Sequence, residues 1–230
     1  MKITAQGAGK DFIRQSAGTN RFTAVQPTDI EIEPGKLTLL MGRSGSGKST
    51  LLNILSGLLP PTTGKVLYGD DDIYSFDDVK LSDFRNIHIG VIPQGQTALQ
   101  SLDVIGNICL PYMLKRDTEL KSVYPYAREL MERLGISHLE SVMPAELSGG
   151  ELRRVAIARA MIRKPDVIFA DEPTCDLDDE NTALVLGLLK ETAKRGTSVF
   201  IVTHEKDALT YADVSYRMDS GKISSEKPNR

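Results

Sequence analysis

Hydrophobic and polar positions alternate between two periods along this chain. Short apolar runs at Leu37 to Met41, Val167 to Ala170 and Val199 to Val202 are bounded by polar residues and are of strand length. Runs with no polar face belong in parallel strands covered on both sides. Between them the period lengthens. Residues Val123 to Leu134 place Ala127, Leu130, Met131 and Leu134 on one helical face, with Arg128, Glu129, Glu132 and Arg133 off it, which predicts an amphipathic helix. Helical spacing extends over about 100 to 145, and a helical insertion is expected at about 97–160. Near the N-terminus, residues 2 to 13, 22 to 33 and 65 to 69 are short strand-like stretches separated by Gly, Pro and Asp turns. They predict an antiparallel sheet within 1–75. A last strand is expected at Val214 to Met218. The fold class is therefore α/β: a mostly parallel sheet, an N-terminal antiparallel β part and an α-helical part, in a single domain spanning 1–230.

Composition narrows the function. With 230 residues and 40% hydrophobic content the chain can bury a substantial core. Its net charge of −3 and lack of a dense Lys/Arg run argue against nucleic acid as a partner. No apolar stretch is long enough to span a membrane. The opening MKITAQGAGKDF lacks the apolar core of a secretion signal, and Cys109 and Cys175 are too far apart in sequence to give a zinc spacing. A cytoplasmic protein with free thiols is expected.

The chemistry enters immediately after the run at Leu37. Residues 42 to 49 read GRSGSGKS, and a helix-like LLNIL follows. This G-x-x-x-x-G-K-[ST] pattern between strand and helix is a phosphate-binding loop. Gly42, Gly45 and Gly47 allow a tight turn, so that the N–H groups of Arg43, Ser44, Ser46 and the helix start can face a polyphosphate. Lys48 supplies a charge for the β and γ phosphates, Ser49 a hydroxyl for Mg²⁺, and Thr50 is expected beside them in the nucleotide-binding set. The apolar run at Val167 ends in Asp171 and Glu172. Carboxylates at the carboxyl edge of a parallel strand lie where such sheets bind ligands. Asp171 suits the Mg²⁺ shell, and Glu172 is placed to orient and partly deprotonate an attacking water.

Residues 147 to 151 read LSGGE and open the helical run LRRVAIARAMI. Ser148 and Glu151 make a capping box. That leaves Gly149 and Gly150, which weaken a helix unless a backbone or an anion must approach closely. A second anion-binding helix start is the functional reading. Arg153, Arg154, Arg159 and Arg163 are expected to form a solvated face.

GRSGSGKST, Gln94 in VIPQ, LSGGE, VIFADEP, CDLD and His204 in VTHE, in this order, resemble the nucleotide-binding subunits of ABC transporters over essentially the whole chain. The resemblance implies a P-loop NTPase that binds ATP and Mg²⁺ and hydrolyses ATP. It implies two copies meeting head to tail, with Ser148, Gly149 and Gly150 completing the partner's site and Asp178 at the dimer interface. Gln94 would approach Mg²⁺ and water beside the groove met by a membrane permease. His204 would bond the γ phosphate. An aromatic ring would stack on adenine, with Phe12 favoured over Phe22. Cys175 and Asp176 depart from the small residues more usual in the CDLD segment. The segment between Phe12 and the next strand, RNIHIGVIPQ and IGNICLPYML resemble exporter ATPases of the lipoprotein-release and macrolide-efflux type, and the chain stops soon after Val214 to Met218. This places the protein on the inner face of the cell membrane, held through the permease. Two other classes compete: a non-transport ABC ATPase acting on nucleic acid or ribosomes, and a small-molecule phosphotransferase, which leaves LSGGE and His204 unexplained.

Overall fold

A computed structural model describes residues 1–14, 20–115 and 117–226. The central sheet contains β3 (Leu37–Gly42), β6 (Ile89–Ile92), β7 (Val167–Asp171), β8 (Ser198–Thr203), β9 (Val214–Asp219) and β10 (Lys222–Glu226), in the order β10-β9-β3-β8-β7-β6. All its pairings are parallel except the β9–β10 edge. The three apolar runs of the sequence are its inner strands, and every residue of β7 and β8 is buried. Successive side chains alternate between faces. Leu37, Leu39, Ile168, Ala170, Val199 and Ile201 enter one core cluster. Leu40, Val167, Phe169, Phe200 and Val202 enter the other.

Helices α3 (Val104–Lys115), α4 (Leu120–Arg133), α5 (Gly149–Met161) and α6 (Asp179–Lys194) supply the first cluster. The expected amphipathic face is observed, with Ala127, Leu130, Met131 and Leu134 all at 0% exposure. The second cluster lies under α1 (Lys48–Leu55) and a four-stranded antiparallel sheet ordered β2-β1-β4-β5. Its strands are β1 (Ile3–Arg14), β2 (Asn20–Ile32), β4 (Thr63–Tyr68) and the two-residue β5 (Asp71–Asp72). Phe12 and Phe22 fall inside β1 and β2. Of the segment expected between them, residues 15–19 lie outside those described. Helix α2 (Asp78–His88) buries none of its residues, which explains why hydrophobic periodicity did not reveal it. No helix among the described residues is long and apolar enough to cross a membrane.

Candidate nucleotide site

Parallel strands bring their carboxyl ends to one edge, and in open α/β sheets that edge binds ligands. Here β3 leads into the loop 43–47, β6 into Pro93 and Gln94, β7 into Glu172, and β8 into His204. The register sets the ends level: Met41 pairs with Thr203, Val202 with Asp171, and Ala170 with Ile92. A cavity of 850 Å³ opens at this edge. Phe12, Phe22, Arg43, Ser44, Gly45, Gly47, Lys48, Ser49, Thr50, Gln94, Asp171, Glu172 and His204 line it. Gly42 and Ser46 do not. Gly42 closes β3, and Ser46 is buried beneath the loop, where its carbonyl accepts from the Gly221 N–H at 2.9 Å.

Within the cavity the Lys48 ammonium, 7% exposed, donates to the carbonyls of Gly42 at 2.9 Å and Arg43 at 3.0 Å. It therefore spans the loop whose N–H groups precede α1. Gly47 caps that helix at φ 104°, where any side chain would meet the Ala24 carbonyl of β2. Asp171 is 8% exposed, and burial pushes its carboxyl above the usual range. A hydrogen bond from Ser49 opposes the rise, the neighbouring Glu172 adds to it, and the charges of Lys48 and Arg153 lower it again. Glu172 has φ 50°, an uncommon backbone for a residue with a side chain. Its N–H donates to Val202 at 2.8 Å, which holds the turn against β8. The Thr203 hydroxyl donates to Oε2 at 2.8 Å, and His204 Nδ1 lies 2.9 Å from Oε1. That carboxylate raises the pKa of His204, first by the hydrogen bond and then by charge.

Phe12 and Phe22 are partners across β1 and β2, their ring centroids 5.5 Å apart and their planes 23° from parallel. The two aromatic candidates thus form one stacked pair on the cavity wall.

Ser148, Gly149, Gly150 and Asp178 are elsewhere. They line a separate hollow of 450 Å³ with Arg154, Asp176, Leu177 and Asn181. Ser148 caps α5 as its capping box predicted: its hydroxyl accepts from the Glu151 N–H at 3.3 Å, and its own N–H donates to Glu151 Oε2 at 2.7 Å. Asp178 caps α6, accepting from the Asn181 N–H at 2.8 Å. A Cβ on Gly150 would crowd the Asp176 carbonyl at 3.3 Å and Leu177 at 3.1 Å, so a nearby backbone accounts for that glycine. Gly149 is open, with nothing nearer than 3.9 Å. The chain itself gives no reason for its missing side chain.

Arg153, Arg154 and Arg159 of α5, and Arg163 two residues past its end, overturn their expectation. Arg153 is 7% exposed and donates to the carbonyls of Pro93 and Gln94. Arg154 bonds Asn181, and Arg159 holds Thr97 through its carbonyl at 2.9 Å and its hydroxyl. Arg163 forks onto Asp117 at 3.1 and 2.6 Å. The physical reason is that α5 is buried on almost every side, including Leu152, Val155, Ala156, Ile157, Ala158, Ala160 and Met161. Such a helix has no continuous face left for solvent. That run of small and apolar residues was the available signal.

A phosphate-binding loop at the head of a parallel sheet, facing two carboxylates across one cavity, defines a P-loop nucleoside-triphosphate-binding protein. The family model for ABC transporter matches residues 25–175, and the chain belongs to that family as an ATP-binding and ATP-hydrolysing cassette. It is 36% identical over 205 residues to the lipoprotein-releasing system ATP-binding protein LolD of Myxococcus xanthus, covering 89% of this chain and 91% of the relative. It is 39% identical over 216 residues to LolD of Syntrophotalea carbinolica, covering 94% and 93%. It superposes with TM-score 0.91 and 28% identity, over 99% of each chain, on the dimeric post-hydrolysis state of the ATP-binding cassette MJ0796 bound to ADP and Pi.

Proposed function

We propose that this chain is the motor subunit of an export system, in which ATP joins two copies head to tail and hydrolysis separates them, driving a separately encoded membrane permease. The observation that carries this reading is the division of the site. Loop, Gln94, carboxylates and His204 share one cavity, whereas Ser148 to Gly150 and Asp178 line another. A second copy, turned around, would bring its open Gly149 turn to the γ phosphate of the first. The dimeric cassette MJ0796 supports this arrangement, and the LolD relatives support a role in releasing lipoproteins or a cargo of that class. The whole chain acts as one ATP-binding domain, with an antiparallel β part within 1–75 and a helical part at about 97–160. It works on the cytoplasmic face of the membrane, held there by its permease near Gln94.

The residues divide the chemistry among them. The stacked Phe12 and Phe22 present a ring face to adenine, with Phe12 making the contact. The N–H groups of the loop and the α1 start receive the phosphates, and Lys48 turns from the loop carbonyls toward the β and γ oxygens. The oxygen donors of Ser49, Asp171 and Gln94 fit a hard cation, and all three line the same cavity. These three residues would hold Mg²⁺, whose chemistry when bound is to neutralise charge on the phosphate oxygens. Glu172, held by Thr203 and His204, orients a water for attack on the γ phosphorus and accepts its proton. His204 then turns to the γ phosphate. Catalysis of this kind is chiefly positioning and charge stabilisation.

Light scattering of Glu172→Gln with and without Mg-ATP tests the reading. The variant should bind ATP, lose turnover and shift from monomer to dimer. Steady-state hydrolysis near wild type would refute the role given to Glu172, and a monomer with ATP bound would refute closure in the isolated chain.

A further inference from the structure

Past the end of β6 the chain leaves the sheet, and residues 94 to 97 are exposed. Side chains hold this segment. Arg153 reaches it from α5, with Nη1 on the Pro93 carbonyl and Nη2 on the Gln94 carbonyl, each at 2.5 Å. A planar guanidinium bonded to two successive carbonyls sets both the place and the direction of the peptide between them. An ammonium or an amide cannot hold both in that geometry. The other end of Arg153 is planted three residues beyond Gly150, in the second turn of the helix that Ser148 caps.

Its surroundings join three parts of the site. The Gln94 side chain lines the cavity with Lys48, Asp171 and Glu172. The Arg153 charge acts on both Asp171 and Cys175, lowering the pKa of each against the rise that burial causes. Next along the helix, Arg154 bonds Asn181, whose amide grips both carboxylate oxygens of Asp178 at 2.9 and 3.0 Å. Adjacent arginines therefore connect the helix after LSGG to the Gln94 turn and to the Asp178 cap.

We propose that Arg153 is a positioning residue: it fixes where Gln94 presents its side chain to the nucleotide cavity and ties that position to the LSGG helix. This rests on the nucleotide reading above. When α5 shifts against the sheet, the tie carries the Gln94 turn with it, so the second phosphate-binding turn and Gln94 move as a unit.

The test is a double-mutant cycle in the full chain, with Arg153→Met and Gln94→Ala alone and together, and with Arg153→Lys as the conservative variant. Methionine keeps an apolar stem and removes every donor. Displacing a group in a reacting site by about 1 Å can lower turnover about a hundredfold. Arg153→Met should therefore lower kcat about ten- to a hundredfold at saturating Mg-ATP, raise the Mg²⁺ concentration needed for half-maximal rate, and leave binding of a fluorescent ATP analogue within about twofold. Arg153→Lys should recover part of the rate. In the Gln94→Ala background, Arg153→Met should cost no more than about twofold further, because coupled residues are not additive. Full multiplication of the two losses, or wild-type turnover in folded Arg153→Met, would overturn the proposal. If the methionine variant does not fold, the same cycle with Arg153→Lys decides by the same criterion. Wild-type ATP affinity in Lys48→Ala would instead overturn the nucleotide reading beneath it.

Discussion

Gly47 offers a quantitative test of how the phosphate loop is built. An L residue in the left-handed region costs about 1–2 kcal/mol, and Gly47 sits at φ 104°. A Cβ there would also lie 2.2 Å from the Ala24 carbonyl oxygen and 2.9 Å from the Met218 methyl. The methionine can swing aside, but Ala24 is strand backbone. Forcing an extra carbon into a packed site costs about 1–3 kcal/mol, so Gly47→Ala should lose about 2–5 kcal/mol in all. Gly45 is the control. It has φ 76° with no atom within 4 Å of a built Cβ, and Gly45→Ala should lose only the conformational part, about 1–2 kcal/mol. Urea unfolding of the nucleotide-free chains, compared at equal m values, reads both. A folded Gly47→Ala protein can relieve the overlap only by parting β2 from the start of α1, which separates the Phe22 strand from Lys48. Its ATP affinity should therefore fall as well. Equal stability losses in the two variants would refute the claim that close approach to Ala24 excludes a side chain from this position.

Two other outcomes are expected. His204 should titrate above its ordinary value of about 6.5 in the nucleotide-free chain, because the Glu172 carboxylate favours the imidazolium. The stabilisation from this pair is then complete below the unfolded value and is lost as pH rises through the folded one. NMR titration should show the midpoint returning toward 6.5 in Glu172→Gln, and an unmoved midpoint would refute the pairing. For adenine, stacking of one base on an aromatic ring is worth about 1–3 kcal/mol. Phe12→Ala should accordingly weaken ATP binding about five- to 150-fold, and Phe22→Ala less, since Phe22 acts by backing Phe12. The reverse order in a calorimetric titration would move the adenine contact to Phe22.

What was legible in the chain was whatever local chemistry alone decides. The inner strands β3, β7 and β8 show as uninterrupted apolar runs because both their faces are buried, and α4 shows because only one of its faces is. The Ser148 box was legible because both its members lie within one turn. Illegible were features that depend on a distant partner. Residues 222–226 gave no strand signal of their own and form β10 by pairing with β9. Phe12 and Phe22 read as alternatives, yet cross-strand register makes them one stack. Three arginines on α5 and a fourth just past its end resembled a solvated face because nothing nearby in sequence names their acceptors, which lie 27 to 62 residues away. The resemblance that identified the family could not supply those acceptors either.

The same contrast explains why the site is divided. Residues at the ends of β3, β6, β7 and β8 converge because parallel strands all point one way, so a single sheet edge collects a loop, an amide, two carboxylates and an imidazole. The LSGG turn lies outside that geometry, at the head of a helix packed against α3 and α4. Within one chain it cannot turn its open Gly149 face toward its own loop without unpacking α5 from the first core cluster, where Val155, Ile157 and Met161 are 0–3% exposed. The proposed reading therefore takes the second phosphate contact from another copy of the chain. It also gives α5 a reason to be tied to the Gln94 turn rather than left free. In that reading α5 meets a nucleotide held by the neighbouring copy, and Arg153 is the side chain that links the helix to the Gln94 turn of its own cavity.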